Sequence, residues 1–267
     1  MSVNKTNSKE KTIKVLSSVG AKVLTFAEQA GGIGVFLVKS VRWTFHFPLE
    51  LRLIFKQMEE IGIRSLPVVV ITTGFTGMVF ALQSFAGFAR FTAQSLVGAA
   101  VALSIVRELS PVLTGLMVAG RAGSAMAAEI GTMRVTEQID ALSTMAVEPI
   151  QYLIVPRMIA SVTMLPILTM LGNAFGILGG YLVAVELLNM NPSVYWESSY
   201  AWLVMNDFVS SLIKAAFFGF IISIISCFYG FNSGGGAEGV GKATTRSVVV
   251  SSMTILVSDF VLSKMLW

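Results

Sequence analysis

Five stretches of this chain are long enough and apolar enough to cross a bilayer, which takes about 20 residues of helix. Ser65 to Ala89 is uncharged throughout. Phe91–Val106 and Leu109–Gly120 are interrupted only by Arg107-Glu108 and join into one long second span with a buried charged pair. Met158–Val185 makes a third, Ala215–Ala237 contains a fourth, and Ser247–Trp267 makes a fifth that includes Asp259. Composition agrees: 54% of the 267 residues are hydrophobic and 13% charged, against about a quarter charged in a soluble domain.

The basic residues set the expected orientation. Ten of the 19 Lys and Arg lie in the first 64 positions, among them Lys5, Lys9, Lys11, Lys14 and Lys22. Arg121, Arg134 and Arg157 fall between spans two and three, and Lys242 and Arg246 between four and five. Leu187 to Ile213, between three and four, holds no Lys or Arg, only Glu197 and Asp207. Positive charge on alternate connections predicts a cytoplasmic N-terminus and a periplasmic C-terminus. No short apolar run with a small-residue cleavage site stands near Met1, and a bacterial inner membrane fits best. The net charge of +4 is then read as attraction to anionic lipid headgroups, not to nucleic acid.

Ala30 to Pro48 is apolar but broken by Lys39 and Arg42. It is expected to be an interfacial or re-entrant helix with Trp43 at headgroup depth; a sixth span with snorkelling cations is the alternative. Residues 1–64 therefore form a basic leader and interfacial helix, and 65–267 a five-span domain.

Gly172, Gly176 and Gly180 recur four apart in the third span, with Gly74 and Gly77 in the first, the small-residue spacing that lets helices approach closely. Pro156 and Pro166 could bend the third span. One cysteine, Cys227, and one histidine, His46, leave no multi-cysteine or histidine-cluster metal site. Gly236 to Ala243, "GAEGVGKA", nearly spells a phosphate-binding loop, but Ala243 replaces the required Ser or Thr and a membrane span, not a strand, leads in. It is expected to be a flexible cytoplasmic loop. No catalytic, cofactor or metal residues are expected in this chain.

Arg107, Glu108 and Asp259 sit in apolar surroundings, where an ionised group costs at least ~2.5–3.5 kcal/mol. They could lock spans together or line a polar patch for a charged headgroup. Adjacent helical residues point about 100° apart, so one of Arg107 and Glu108 is expected to pair across helices while the other faces a cavity. Between spans two and three, Ile139, Leu142, Met145 and Ala146 share one helical face. Glu137, Asp140, Ala141 and Thr144 share the opposite one. This amphipathic helix, at about 134–147, is too long and too charged for a mere connector and is expected to be a docking surface.

"RELSPVLTGLMVAGRAGSAMAAEIGTMRVTEQIDAL", Arg107 to Leu142, closely resembles the signature of the MlaE permease family, the membrane subunit of bacterial ABC-type phospholipid transporters. The similarity continues through Met145–Arg157 and Ala243–Leu262, and covers the chain from about Leu66 onward. It implies an all-α integral membrane protein: an interfacial elbow helix, then five transmembrane helices with a cytoplasmic coupling helix between spans two and three. It implies that Glu137, Gln138, Asp140, Ala141 and Leu142 couple to a separate ATPase that binds ATP and Mg. It implies a homodimer, a periplasmic MCE-domain partner and a STAS-domain regulator on the ATPase. The implied function moves phospholipid between the inner membrane and the periplasm or outer membrane, maintaining outer-membrane lipid asymmetry. By position, Met78, Leu82 and Phe85 are candidates for acyl-chain contact, and Arg107 or Glu108 for the headgroup. The competing readings are an ATP-independent secondary transporter, which would need an internal repeat and a midplane ion site, and a non-transporting scaffold whose buried charges are structural.

Overall fold

The computed structural model describes residues 31–46 and 50–266, together with 24, 27 and 28. The basic leader from Lys5 to Lys22 lies outside the described residues, as do Ala30 and Pro48. Every regular element in the described chain is helical.

Residues 31–44 form α1. It is held sideways: Phe36 is buried, its ring edge-on to Phe228 at 5.7 Å. Ile33, Leu37 and Trp43 pack around Ile150, Leu153 and Ile154.

Helix α2, Leu51–Ile61, runs through a short 3-10 turn into α3, Leu66–Ala89. Pro67 sits in the first turn of α3, where a missing N–H costs nothing. The second span is one helix, α4, Gln94–Val135, of 42 residues. That is about 63 Å, twice the hydrocarbon thickness, so a large part of α4 projects beyond the lipid. Two π-helical turns, Ile105–Leu109 and Ala119–Gly123, interrupt its α-helical pattern. Arg121, expected in a loop, therefore lies inside α4, where it donates to the Glu60 carbonyl at 2.7 Å and to Ser65 Oγ at 3.0 Å.

The short α5, Gln138–Thr144, precedes α6, Ile150–Leu187. Arg157 also moves from the expected loop into a helix. Helix α7, Pro192–Trp202, is opened by Asn191, whose side chain accepts from the Ser193 N–H. Helices α8, Met205–Phe231, and α9, Gly236–Leu266, complete, among the described residues, five helices long and apolar enough to cross a membrane. The glycine-rich stretch Gly236–Ala243 is thus the first two turns of α9, not a flexible loop. Gly235 and Gly236, with φ of 83° and 71°, make the tight reversal from α8.

Helix α3 lies against α6 through glycine. A Cβ on Gly77 would overlap the Gly176 carbonyl, and one on Gly179 would overlap the Gly74 carbonyl. The expected small-residue face exists and is used within the chain. Lipid offers no hydrophobic drive for helices to associate, so close packing and interhelical polar contacts hold them. Ser247 Oγ on α9 lies 2.9 Å from Ser226 Oγ on α8, and Ser110 Oγ on α4 donates to the Thr169 carbonyl on α6.

At the end of the bundle opposite α5, Tyr195 of α7 is fully buried and its hydroxyl donates to the Ile177 carbonyl at 3.0 Å. Burial pushes this phenol above its ordinary range, so it remains a donor at physiological pH. Tyr195→Phe should cost about 1 kcal/mol, read as a fall of a few degrees in Tm in detergent.

Candidate functional site

The segment after α4 breaks where Glu137 adopts a left-handed φ of 59°. Thr136 closes α4 by donating to the Thr132 carbonyl, and α5 begins at Gln138. The amphipathic helix is thus shorter than the expected 134–147. Arg134 belongs to the last turn of α4, and Glu137 flanks α5 instead of riding on its polar face. Ile139 is buried, and Leu142 packs over the same cluster beside Ile150 and Leu153. Met145, expected on this apolar face, is instead 72% exposed. Glu137, Gln138, Asp140 and Ala141 are all exposed. Arg134 reaches Asp140 at 2.6 Å. The result is a short knob, anchored by Ile139, with an acidic outer face.

The second locus is inside the bundle. Arg107 Nε donates to Asp207 Oδ1 at 2.9 Å, and Glu108 Oε2 accepts from Lys214 Nζ at 2.9 Å. Both neighbours in sequence therefore pair with the same helix, α8, against the expectation that only one would pair. Two features permit this. Arg107 and Glu108 lie within the first π turn of α4, and Asp207 and Lys214 are seven apart on one face of α8, two turns or about 10.5 Å along it. Asp207 is 2% exposed, and its other oxygen accepts from the Val204 N–H at the start of α8.

Lys214 is completely buried. Its ammonium donates to the Arg107 carbonyl, Glu108 Oε2 and Ser263 Oγ, at 3.1, 2.9 and 2.7 Å. Asp259 Oδ1 lies 3.2 Å from the same nitrogen. Helices α4, α8 and α9 are thereby tied at one point by two acids sharing one ammonium. Lys214, Asp207 and Ser263 escaped the sequence reading. Lys214 borders an apolar run, where a lysine normally snorkels to the headgroups. Its spacing of seven from Asp207 was the available signal.

The apolar candidates lie elsewhere. Met78 lines an open groove of about 440 Å³ between α3 and α6, with Phe75, Phe175 and Leu182. Leu82 is exposed, and Phe85 is half-buried against Ala81, Val97 and Val101. Met78 is thus separated from Arg107 and Glu108, which face α8.

An all-helical, five-span protein with a charged cluster inside the bundle and an anchored acidic knob between spans two and three defines a polytopic membrane protein of transport-subunit architecture. The Permease MlaE family matches residues 54–265, and the chain belongs to that family. It is 49% identical over 253 residues, covering 95% of this chain and 98% of the relative, to a probable ABC transporter permease protein of Rickettsia felis. It is 37% identical over 262 residues, covering 96% and 98%, to the intermembrane phospholipid transport system permease protein MlaE of Haemophilus influenzae. It is 44% identical over 208 residues, covering 78% and 59%, to the chloroplastic protein TRIGALACTOSYLDIACYLGLYCEROL 1 of Arabidopsis thaliana.

Proposed function

We propose that this chain is the permease subunit of an ABC transporter that moves phospholipid between a bacterial inner membrane and the periplasm or outer membrane, sustaining outer-membrane lipid asymmetry. The observation that carries this reading is the α5 knob: a short helix between spans two and three, exposed on its acidic side and seated on the bundle through Ile139. The family supports it, as do the names of the Rickettsia and Haemophilus relatives. In this reading α5 is a coupling helix on the cytoplasmic side. Glu137, Gln138, Asp140, Ala141 and Leu142 meet a separate ATPase, which supplies ATP and Mg, and the chain performs no catalysis. With α5 inside, the C-terminus is periplasmic.

The permease acts as a homodimer with a periplasmic MCE-domain partner and a STAS-domain regulator. Met78, Leu82 and Phe85 contact acyl chains. The Arg107–Asp207 and Glu108–Lys214–Asp259 pairs hold the polar side of the lipid path. Helix α5 passes ATP-driven displacement directly into α4 and α6, which flank it.

Charge reversal tests the assignment. The double variant Glu137→Lys, Asp140→Lys loses one exposed ion pair, worth at most about 1 kcal/mol, so the bundle should stay folded. ATPase activity co-purifying with the chain, and lipid transfer in reconstituted vesicles, should both fall at least tenfold. Unchanged co-purification and transfer would remove α5 from the interface.

A further inference from the structure

Among the described residues, four non-glycine positions take a left-handed backbone: Thr92, Glu137, Ala146 and Asn189, with φ of 54°, 59°, 59° and 53°. Two of them bracket α5. Glu137 stands immediately before Gln138, and Ala146 two residues after Thr144. The left-handed well open to a residue with a Cβ is small and unfavourable. Asparagine eases it with a short side chain that hydrogen-bonds locally; alanine has no such group. Where this chain only has to reverse direction, between α8 and α9, it uses Gly235 and Gly236, which meet no such penalty.

The surroundings hold both joints. The Glu137 N–H donates to the Arg134 carbonyl at 3.2 Å, and the Glu137 carbonyl accepts from the Ala141 N–H at 3.0 Å. The Ala146 and Val147 N–H groups donate to the Ser143 and Leu142 carbonyls at 3.2 and 3.0 Å. Across the first joint, Arg134 of α4 reaches Asp140 of α5. Between the joints Ile139 is buried, and beyond the second Pro149 is buried too, with its φ fixed by its ring. A strained backbone persists only where its surroundings over-determine it, and such residues gather at working sites. An ordinary helical φ at Glu137 would carry α4 straight on into α5, so the left-handed turn is what sets α5 at an angle to it.

We propose that Glu137 and Ala146 are positioning residues: two narrow backbone joints, kept narrow by a Cβ, that fix the attitude of α5 so that a push on it reaches α4 and α6. The inference rests on α5 being the coupling helix. Glycine at either joint would open the rest of the positive-φ region. A displacement of α5 would then be taken up at the joint instead of passed on. Ala146 carries the test because, unlike Glu137, it presents no charge to a partner.

The first measurement uses the purified full chain alone. Spin labels at Thr144→Cys on α5 and Thr245→Cys on α9, both exposed, report the spread of distances between the two helices. Cys227 is buried and out of reach of the label. The parent chain should give a narrow distribution, and Ala146→Gly one about twofold broader. Ala146→Asn keeps a Cβ and tolerates the left-handed region, so it should match the parent. Asn189→Gly, between α6 and α7 at the other end of the bundle, should match it too. In the complex with the ATPase, lipid moved per ATP hydrolysed should fall about threefold in Ala146→Gly and hold in Ala146→Asn. Tm should be no lower in either, because the left-handed Cβ is removed or better accommodated.

Unbroadened distances in Ala146→Gly, or equal broadening in Ala146→Asn, would overturn the joints. Broadening with unchanged lipid per ATP would overturn their part in transmission. A fall in coupling that only follows a fall in Tm would assign Ala146 to stability instead. Charge reversal at Glu137 and Asp140 without effect would defeat the coupling reading and the transmission role with it, while the distance widths would still decide the joints.

Discussion

Replacing Gly77 or Gly179 with valine should leave little folded chain in detergent. Overpacking usually costs ~1–3 kcal/mol when side chains can shift aside. Here the obstacle is backbone: a Cβ on Gly77 runs into the Gly176 carbonyl, and the next contact along, Gly179 against the Gly74 carbonyl, repeats the arrangement. Relief requires α3 to lift from α6 along its length, so the loss should reach or exceed the top of that range. Gly87→Ala is the control, because no atom lies within 4 Å of a Cβ there. In a helix, alanine should gain about 0.5–1 kcal/mol over glycine. Thermal unfolding followed by size exclusion separates the cases. Similar melting of the Val variants and the control would mean that α3 does not depend on close approach.

Lys214→Met should be nearly as damaging, for a different reason. Removing one partner of a buried charge pair typically costs ~3–5 kcal/mol, because the remaining charge is left uncompensated. In this bundle Glu108 and Asp259 would face each other with no cation between them, and Ser263 and the Arg107 carbonyl would lose a donor. Adding Glu108→Gln and Asp259→Asn to the same variant should recover most of the loss, since neutral groups of matching shape are tolerated where a lone charge is not. A Lys214→Met variant with unchanged Tm, or a triple variant no better than the single, would contradict the shared-ammonium arrangement.

Much of the fold is legible in residue order. Apolar run length locates all five spans. The Gly172–Gly176–Gly180 spacing marks the face that α6 turns to its neighbours. What the sequence conceals is helix extent beyond the lipid. Charged residues such as Arg121, Arg157 and Lys242 look like loop residues to a hydropathy reading, yet helical hydrogen bonding continues through them because neighbouring helices and carboxylates satisfy their charge. Glycine likewise reads as flexibility in Gly236–Ala243, while a helix start tolerates it.

The site is legible in a similarly divided way. Helical periodicity identifies the amphipathic segment and its Ile139–Leu142 face but not the left-handed Glu137 that shortens it, because a non-glycine positive φ leaves no mark on periodicity. Arg107, Glu108 and Asp259 stand out as charges in apolar runs. Lys214, which joins two of them, does not, since it lies at a run's edge.

The two π turns of α4 have a consequence for how this helix is read by its neighbours. Each accommodates one residue more than an α-helical turn would, and one residue amounts to about 100° of rotation. The direction in which Glu129 and Arg134 point is therefore set by a count of residues upstream, not by their own surroundings. Deleting a single residue within Ile105–Leu109 would leave hydropathy and length almost untouched. It would nonetheless turn the whole projecting end of α4 by more than a quarter of a revolution, carrying Glu129 away from Arg157 and Arg134 away from Asp140. In this helix phase is a specified quantity, and the membrane-embedded charges and the exposed knob are kept in step by it as teeth on one shaft.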